Sequence, residues 1–188
     1  MRTCRGAYLN ALVFLLCGLP AAAQVDIEKL RSEKGQDGLT GAVEFAVSVR
    51  SGNVDIQTVG LATHLDYRRQ KSASLLVLNS DLGWQGGERF SDEGLGHFRQ
   101  SYHLRDWLHP EGFVQAGFNK KRLLDFRGLI GGGLRLRLYY RERFFLWWGT
   151  NYMLEHEEVD VVAGDSHPAE VTVHRWSNSI SAKAKLGQ

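Results

Sequence analysis

Three groups of side chains in this 188-residue chain have the types that do chemistry. His174 and Ser177 could form a base and its nucleophile, which requires the hydroxyl within hydrogen-bond reach of the imidazole. His97 and His103 could share a metal ion. Glu155, His156, Glu157, Glu158 and Asp160 could gather a divalent cation. All three depend on the elements that carry them. On a strand successive side chains alternate faces, so His174 and Ser177, three apart, project to opposite sides. His97 and His103 share a face, but six residues of strand hold them roughly 20 Å apart, too far for one metal. The acidic run reads as a solvated loop without fixed ligand geometry. Gly131-Gly132-Gly133 leads into a strand and not a helix, so it lets that strand bend and is no phosphate loop. The sequence therefore predicts no catalytic residue, no metal site and no cofactor.

Strands are expected because eight stretches alternate between an apolar and a polar face. Leu134, Leu136, Leu138 and Tyr140 point one way, and Gly133, Arg135, Arg137 and Tyr139 the other. In the next segment Leu146, Trp148, Thr150, Tyr152 and Leu154 oppose Trp147, Gly149, Asn151, Met153 and Glu155. Earlier strands are predicted over 42–50, 58–67, 76–85, 98–105 and 114–121, and a last one over 175–186. Short turns are expected at 51–53, 68–71, 109–111 and 141–143, with polar loops at 86–96 and 157–170. Runs of about ten residues with this period are the mark of a transmembrane β-barrel, whose turns are short on the periplasmic side and longer outside. Trp84, Phe90, Trp107, Phe144, Phe145 and Trp148 fall near strand ends, where an interfacial girdle belongs. The predicted fold is all-β: an antiparallel up-and-down transmembrane β-barrel of about eight strands.

Residues 1–23 read as a secretory signal peptide. Arg2 and Arg5 precede an apolar stretch from Ala7 to Gly18, and Leu19-Pro20-Ala21-Ala22-Ala23 supplies a break and small residues, placing cleavage after Ala23. The apolar run is shorter than the ~20 residues of a spanning helix. Leu16 is too bulky for a lipoprotein site at Cys17. Both cysteines, Cys4 and Cys17, lie in the signal, so the exported chain forms no disulfide. Residues 24–40 read as a polar periplasmic lead-in, and 41–188 as the barrel domain. The formal charge of +2, with both signs interleaved, excludes a nucleic-acid footprint.

Alternation alone leaves the orientation open. A lipocalin-like periplasmic carrier has the same period with its apolar face inward around a ligand. Two features favour the membrane. Gly60, Gly83, Gly117, Gly133 and Gly149 all fall on the polar face, where small residues relieve crowding inside a closed sheet. Arg135 and Arg137 can also pair with Glu155 and Glu157 within a narrow lumen. Against this, Gln100, Lys120 and Asn178 fall on the face assigned to lipid.

The ordered segments Val25-Asp26-Ile27-Glu28-Lys29-Leu30-Arg31, Ser51-Gly52-Asn53, Tyr102-His103-Leu104-Arg105, Phe113-Val114-Gln115, the run Arg127 to Arg135, Tyr152-Met153-Leu154-Glu155-His156-Glu157 and His174-Arg175-Trp176-Ser177 resemble the bacterial salt-induced outer-membrane proteins, a family classed as domain of unknown function 481. The resemblance implies an outer-membrane β-barrel embedded in outer-membrane lipid, delivered by the barrel assembly machinery, with no established reaction or ligand to carry over. Members usually continue into further strands, and such barrels end on an aromatic residue. This chain stops at Leu186-Gly187-Gln188, so eight strands are either part of a larger barrel or, being even in number, close by themselves.

The expected role is non-enzymatic, structural or passively permeable. Its lumen is expected to be lined by Arg50, Arg99, Arg105, Lys121, Arg135, Arg137, Arg175, Lys183 and Lys185 against fewer acids, Glu44, Asp66, Asp81, Glu155 and Glu157. That excess of bases predicts anion preference if the lumen is open.

Overall fold

The period-two pattern is realised as strand throughout the computed structural model, which describes residues 37–141, 144–161 and 168–184. The strands are β1 (Gly38–Arg50), β2 (Ile56–Arg69), β3 (Ser72–Gln85), β4 (Glu88–Tyr102), β5 (Leu108–Asn119), β6 (Leu124–Arg141), β7 (Phe144–Val159) and β8 (Glu170–Ala184), with one 3-10 turn at Lys120–Arg122. The predicted signal peptide, its cleavage after Ala23 and most of the lead-in lie outside the described residues. Gly38, Leu39 and Thr40, expected to end the lead-in, already belong to β1 and pair with Arg68, Tyr67 and Asp66.

Each strand pairs antiparallel with its neighbour in sequence, giving one sheet in the order β1 to β8. Of the two alternatives, closure by these eight strands alone is not what the structure shows. Among the described residues β1 pairs only with β2 and β8 only with β7, so the sheet is open at both ends.

Two connections differ from the sequence reading. The expected polar loop 86–96 is a two-residue turn, Gly86-Gly87, both at positive φ, followed by strand. Its glycines and acids look loop-like, yet Gly94 serves packing: a Cβ there would come within 2.6 Å of the Phe118 ring. His109-Pro110-Glu111, expected as a turn, lies inside β5. Pro110 stands one residue before the β4–β5 ladder begins at Ser101 and Glu111, a strand-end position where a missing N–H is tolerated. Of the two long connections expected, only the one between β7 and β8 is long.

Four irregularities break strict alternation, between Gly83 and Trp84, Gly117 and Asn119, Leu124 and Phe126, and Arg137 and Tyr139. An extra residue in one strand reverses the facing of everything beyond it. Beyond Leu138, therefore, Tyr140 rather than Tyr139 joins Arg137 on the polar face, opposite the buried Phe145. Phe145 thus leaves the expected aromatic girdle, and Phe90 folds over Gly83 on the polar face.

The two faces have different environments. Side chains buried on the polar face include Asp66, Leu75, Val77, His97, Glu111, Arg135, Trp147, Met153 and Glu155. Many large apolar side chains of the other face stay exposed, among them Phe45, Ile130, Leu138, Trp176 and Ile180, while Leu76, Leu136 and Trp148 are half-buried. A single-layer sheet buries one face only by curling toward it, so the polar face is the enclosed one. Glycine is not confined to that face: Gly94, Gly96, Gly112, Gly128 and Gly132 align with the apolar set, and Phe118 covers Gly94 as Phe113 covers Gly131 on the enclosed side.

Candidate functional site on the enclosed charged face

Near the β7–β8 connection, β6, β7 and β8 bring three strands of charge together. Register sets Arg127 opposite Glu157, Leu129 opposite Glu155, and Met153 opposite Arg175. Diagonal reach across these rungs lets Glu155 take both arginines, at 2.5 Å from Arg127 Nη2 and 2.5 Å from Arg175 Nε. Arg127 Nε also contacts Glu157 at 3.1 Å. The Glu155 side chain is 0% exposed. An isolated carboxylate there would cost several kcal/mol, and its two guanidinium partners are what make the burial tolerable. Arg135 and Arg137, the expected partners of Glu155 and Glu157, instead lie toward the opposite end of β6, opposite Gly149 and Trp147.

At that opposite end the face is basic and aromatic. The Arg135 guanidinium lies 4.3 Å from the Trp147 ring centroid and that of Arg137 5.5 Å from it, with Tyr140 4.9 Å from Arg137. His109 packs on Trp147 at 5.0 Å, and His103 on His109 at 4.2 Å. Gly133 and Gly149 let neighbouring strands pack closely here: a Cβ at Gly149 would stand 2.7 Å from Ser179 Oγ, and one at Gly133 2.7 Å from Asn151 Cα.

Between the two ends, His97 is buried, donates from Nδ1 to Gln115 Oε1 at 3.2 Å, and stacks on Phe113, which Arg99 also covers at 5.7 Å. Further along, Arg68 binds Asp66 at 2.8 Å, and Asn119 donates to Glu93 at 2.6 Å.

The residues expected to line a lumen divide. Arg99, Arg135, Arg137 and Glu155 lie on the enclosed face, and Arg175 lies there half exposed, tied to Glu155. Arg50 is aligned with that face but sits exposed at the end of the open edge strand. Arg105 belongs to the exposed turn between β4 and β5, and Lys121 to the 3-10 turn, its ammonium over the Phe90 ring. Lys183 is on the enclosed face opposite Phe145, while Lys185 lies outside the described residues. Glu93, Glu111 and Arg127 also belong to the face and were missed. Strand alternation run two steps back from Gly131 would have found Arg127; Glu93 and Glu111 were hidden by glycine and proline. With these acids added and Arg105 and Lys121 removed, the excess of bases narrows and gathers at the Arg135 end.

The polar residues on the apolar face are accommodated in different ways. Gln100 accepts from Ser74 at 2.6 Å and donates to Ser72 at 2.7 Å near the strand ends. Lys120 is not in a strand at all; in the 3-10 turn it pairs with Asp125, and the hydrogen bond to that carboxylate holds its ammonium above the usual lysine range. Asn178 stands opposite Thr150, which accepts from the Trp176 indole at 2.9 Å.

His174 and Ser177 fall on opposite faces, as alternation requires, and His174 instead meets the Tyr152 hydroxyl at 2.6 Å. His97 and His103 do not meet. No group of metal-binding side chains is assembled among the described residues. Among them, too, no helix is long and apolar enough to cross a membrane.

These features define a class: an all-β protein built as one antiparallel meander sheet, curled around a charged face. A family model described as "Protein of unknown function, DUF481" matches residues 43–187, and the chain belongs to that family. No curated protein and no solved structure matches it.

Proposed function

We propose that the chain is a non-enzymatic β-barrel protein of the outer membrane, structural or passively permeable, with its apolar face turned to lipid. The observation that carries this reading is the contrast between faces. Ile180 is 74% exposed, Trp176 69% and Phe45 68%, whereas Glu155 and Arg135 are 0% and 7% exposed. In water such an apolar surface is a strong liability, and against acyl chains it is the stabilising one. An open edge is not tolerated in the hydrocarbon layer, because each unsatisfied backbone group there costs several kcal/mol. The barrel therefore requires the free edges of β1 and β8 to be covered, by each other or by further strands. The signal peptide and assembly machinery expected from the sequence complete the route.

A lipocalin-like periplasmic carrier needs Leu134, Leu138 and Ile130 around a central cavity, and the exposure of all three speaks against it. Fractionation tests the proposal. A barrel stays with the envelope after osmotic shock and is extracted by detergent; release into the shock fluid would refute it.

A further inference from the structure

We propose that the basic end of the enclosed face binds a small oxyanion, of the phosphate or sulfate kind, between the Arg137 guanidinium and the Trp147 indole N–H. Trp147 is only 5% exposed, and its Nε1 has neither solvent access nor a hydrogen-bond partner among the described residues. A buried donor without an acceptor is costly and calls for an occupant. The groups on its ring are the guanidiniums of Arg135 and Arg137, which are donors only and cannot serve.

Arg137 supplies the positive charge. Among the described residues its contacts are with the Tyr140 and Trp147 rings, and no carboxylate pairs with it. A guanidinium held against rings keeps its in-plane N–H groups for an acceptor, and the fork they form matches an oxyanion. One oxyanion satisfies both the charge and the indole N–H, where a water molecule satisfies only the latter. The site lies on the face opposite the apolar one, so the occupant is a free anion rather than the headgroup of a lipid whose tails pack on Ile130 and Leu138. This inference rests on the geometry of the enclosed face and stands or falls separately from the membrane reading.

Isothermal titration of the full chain in maltoside micelles with sodium phosphate or sodium sulfate, against a chloride background of equal ionic strength, should show saturable binding. Arg137→Gln should weaken it at least about tenfold, the loss of one charge-assisted hydrogen bond. Trp147→Phe keeps a ring and removes the N–H, and should weaken binding several-fold with an unchanged far-ultraviolet spectrum; it carries the test if Arg137→Gln fails to fold. Arg89→Gln should bind like the parent, since Arg89 covers Trp84 but is paired with Asp92 at 2.6 Å. Absence of saturable binding by the parent, or parental affinity in a folded Arg137→Gln or Trp147→Phe chain, overturns the proposal. So does binding of short-chain phosphatidylglycerol without binding of either inorganic anion.

Discussion

Arg127 and Glu155 meet at 2.5 Å across the β6–β7 ladder, although register places Leu129, and not Arg127, opposite the glutamate. The diagonal contact leaves the other carboxylate oxygen for Arg175 on β8, so one buried acid ties three strands together. Replacing Glu155 by Leu should lower folding stability by about 3 kcal/mol, the low end for breaking a buried pair because both arginines retain some solvent. Arg127→Met should cost more than Arg175→Met, since the side chains are 22% and 51% exposed. Urea titration in detergent checks the order; equal costs would mean that burial does not set the strength of these pairs.

Gly131 is filled from above by Phe113. A Cβ there would stand 2.6 Å from Phe113 Cζ and 2.9 Å from the backbone oxygen of Tyr152. Alanine ordinarily gains up to about 1 kcal/mol over glycine by restricting the unfolded chain, but the backbone oxygen cannot yield. Gly131→Ala should therefore destabilise by about 1 to 3 kcal/mol through overpacking, and Phe113→Leu should restore part of the loss. A stabilised Gly131→Ala chain would show that the strands can part here.

The lipid-facing assignment predicts a gradient along β6. Ile130, near the middle of the strand, should cost about 2 to 4 kcal/mol when replaced by Arg in lipid vesicles, and Leu138, near the turn, about 0 to 1 kcal/mol. On a water-exposed face both changes would lie within about 0.5 kcal/mol. Folding titrations into vesicles distinguish the two, and flat values would remove the membrane reading.

If the closed protein conducts, Arg135, Arg137 and Lys183 at one end of the enclosed face should give modest anion selectivity, reduced by Glu111 beside them and by the acids along the rest of the face. Planar-bilayer reversal potentials measure it. Neutralising Arg135 and Arg137 together should abolish the preference, whereas a cation-selective parent channel would contradict this placement of charge.

Much of the molecule was legible in the residues themselves. Alternation in Arg135, Arg137, Leu134 and Leu136 is a local property with a period of two, so it named the strands and the partition of faces without any knowledge of partners. As far as β7, the neighbour-to-neighbour order of strands follows from turns too short for any other connection. Which face is enclosed depends on how the sheet curls, and that is decided by strands far apart in sequence acting together. The tertiary structure likewise decided the pairing of Glu155, because a diagonal contact depends on a register that bulges reset at Leu124 and Arg137. It turned Tyr140 inward, drew Glu93 and Glu111 out of apparent loops, and left the sheet open, since closure is set by accumulated curvature and shear that no single strand encodes.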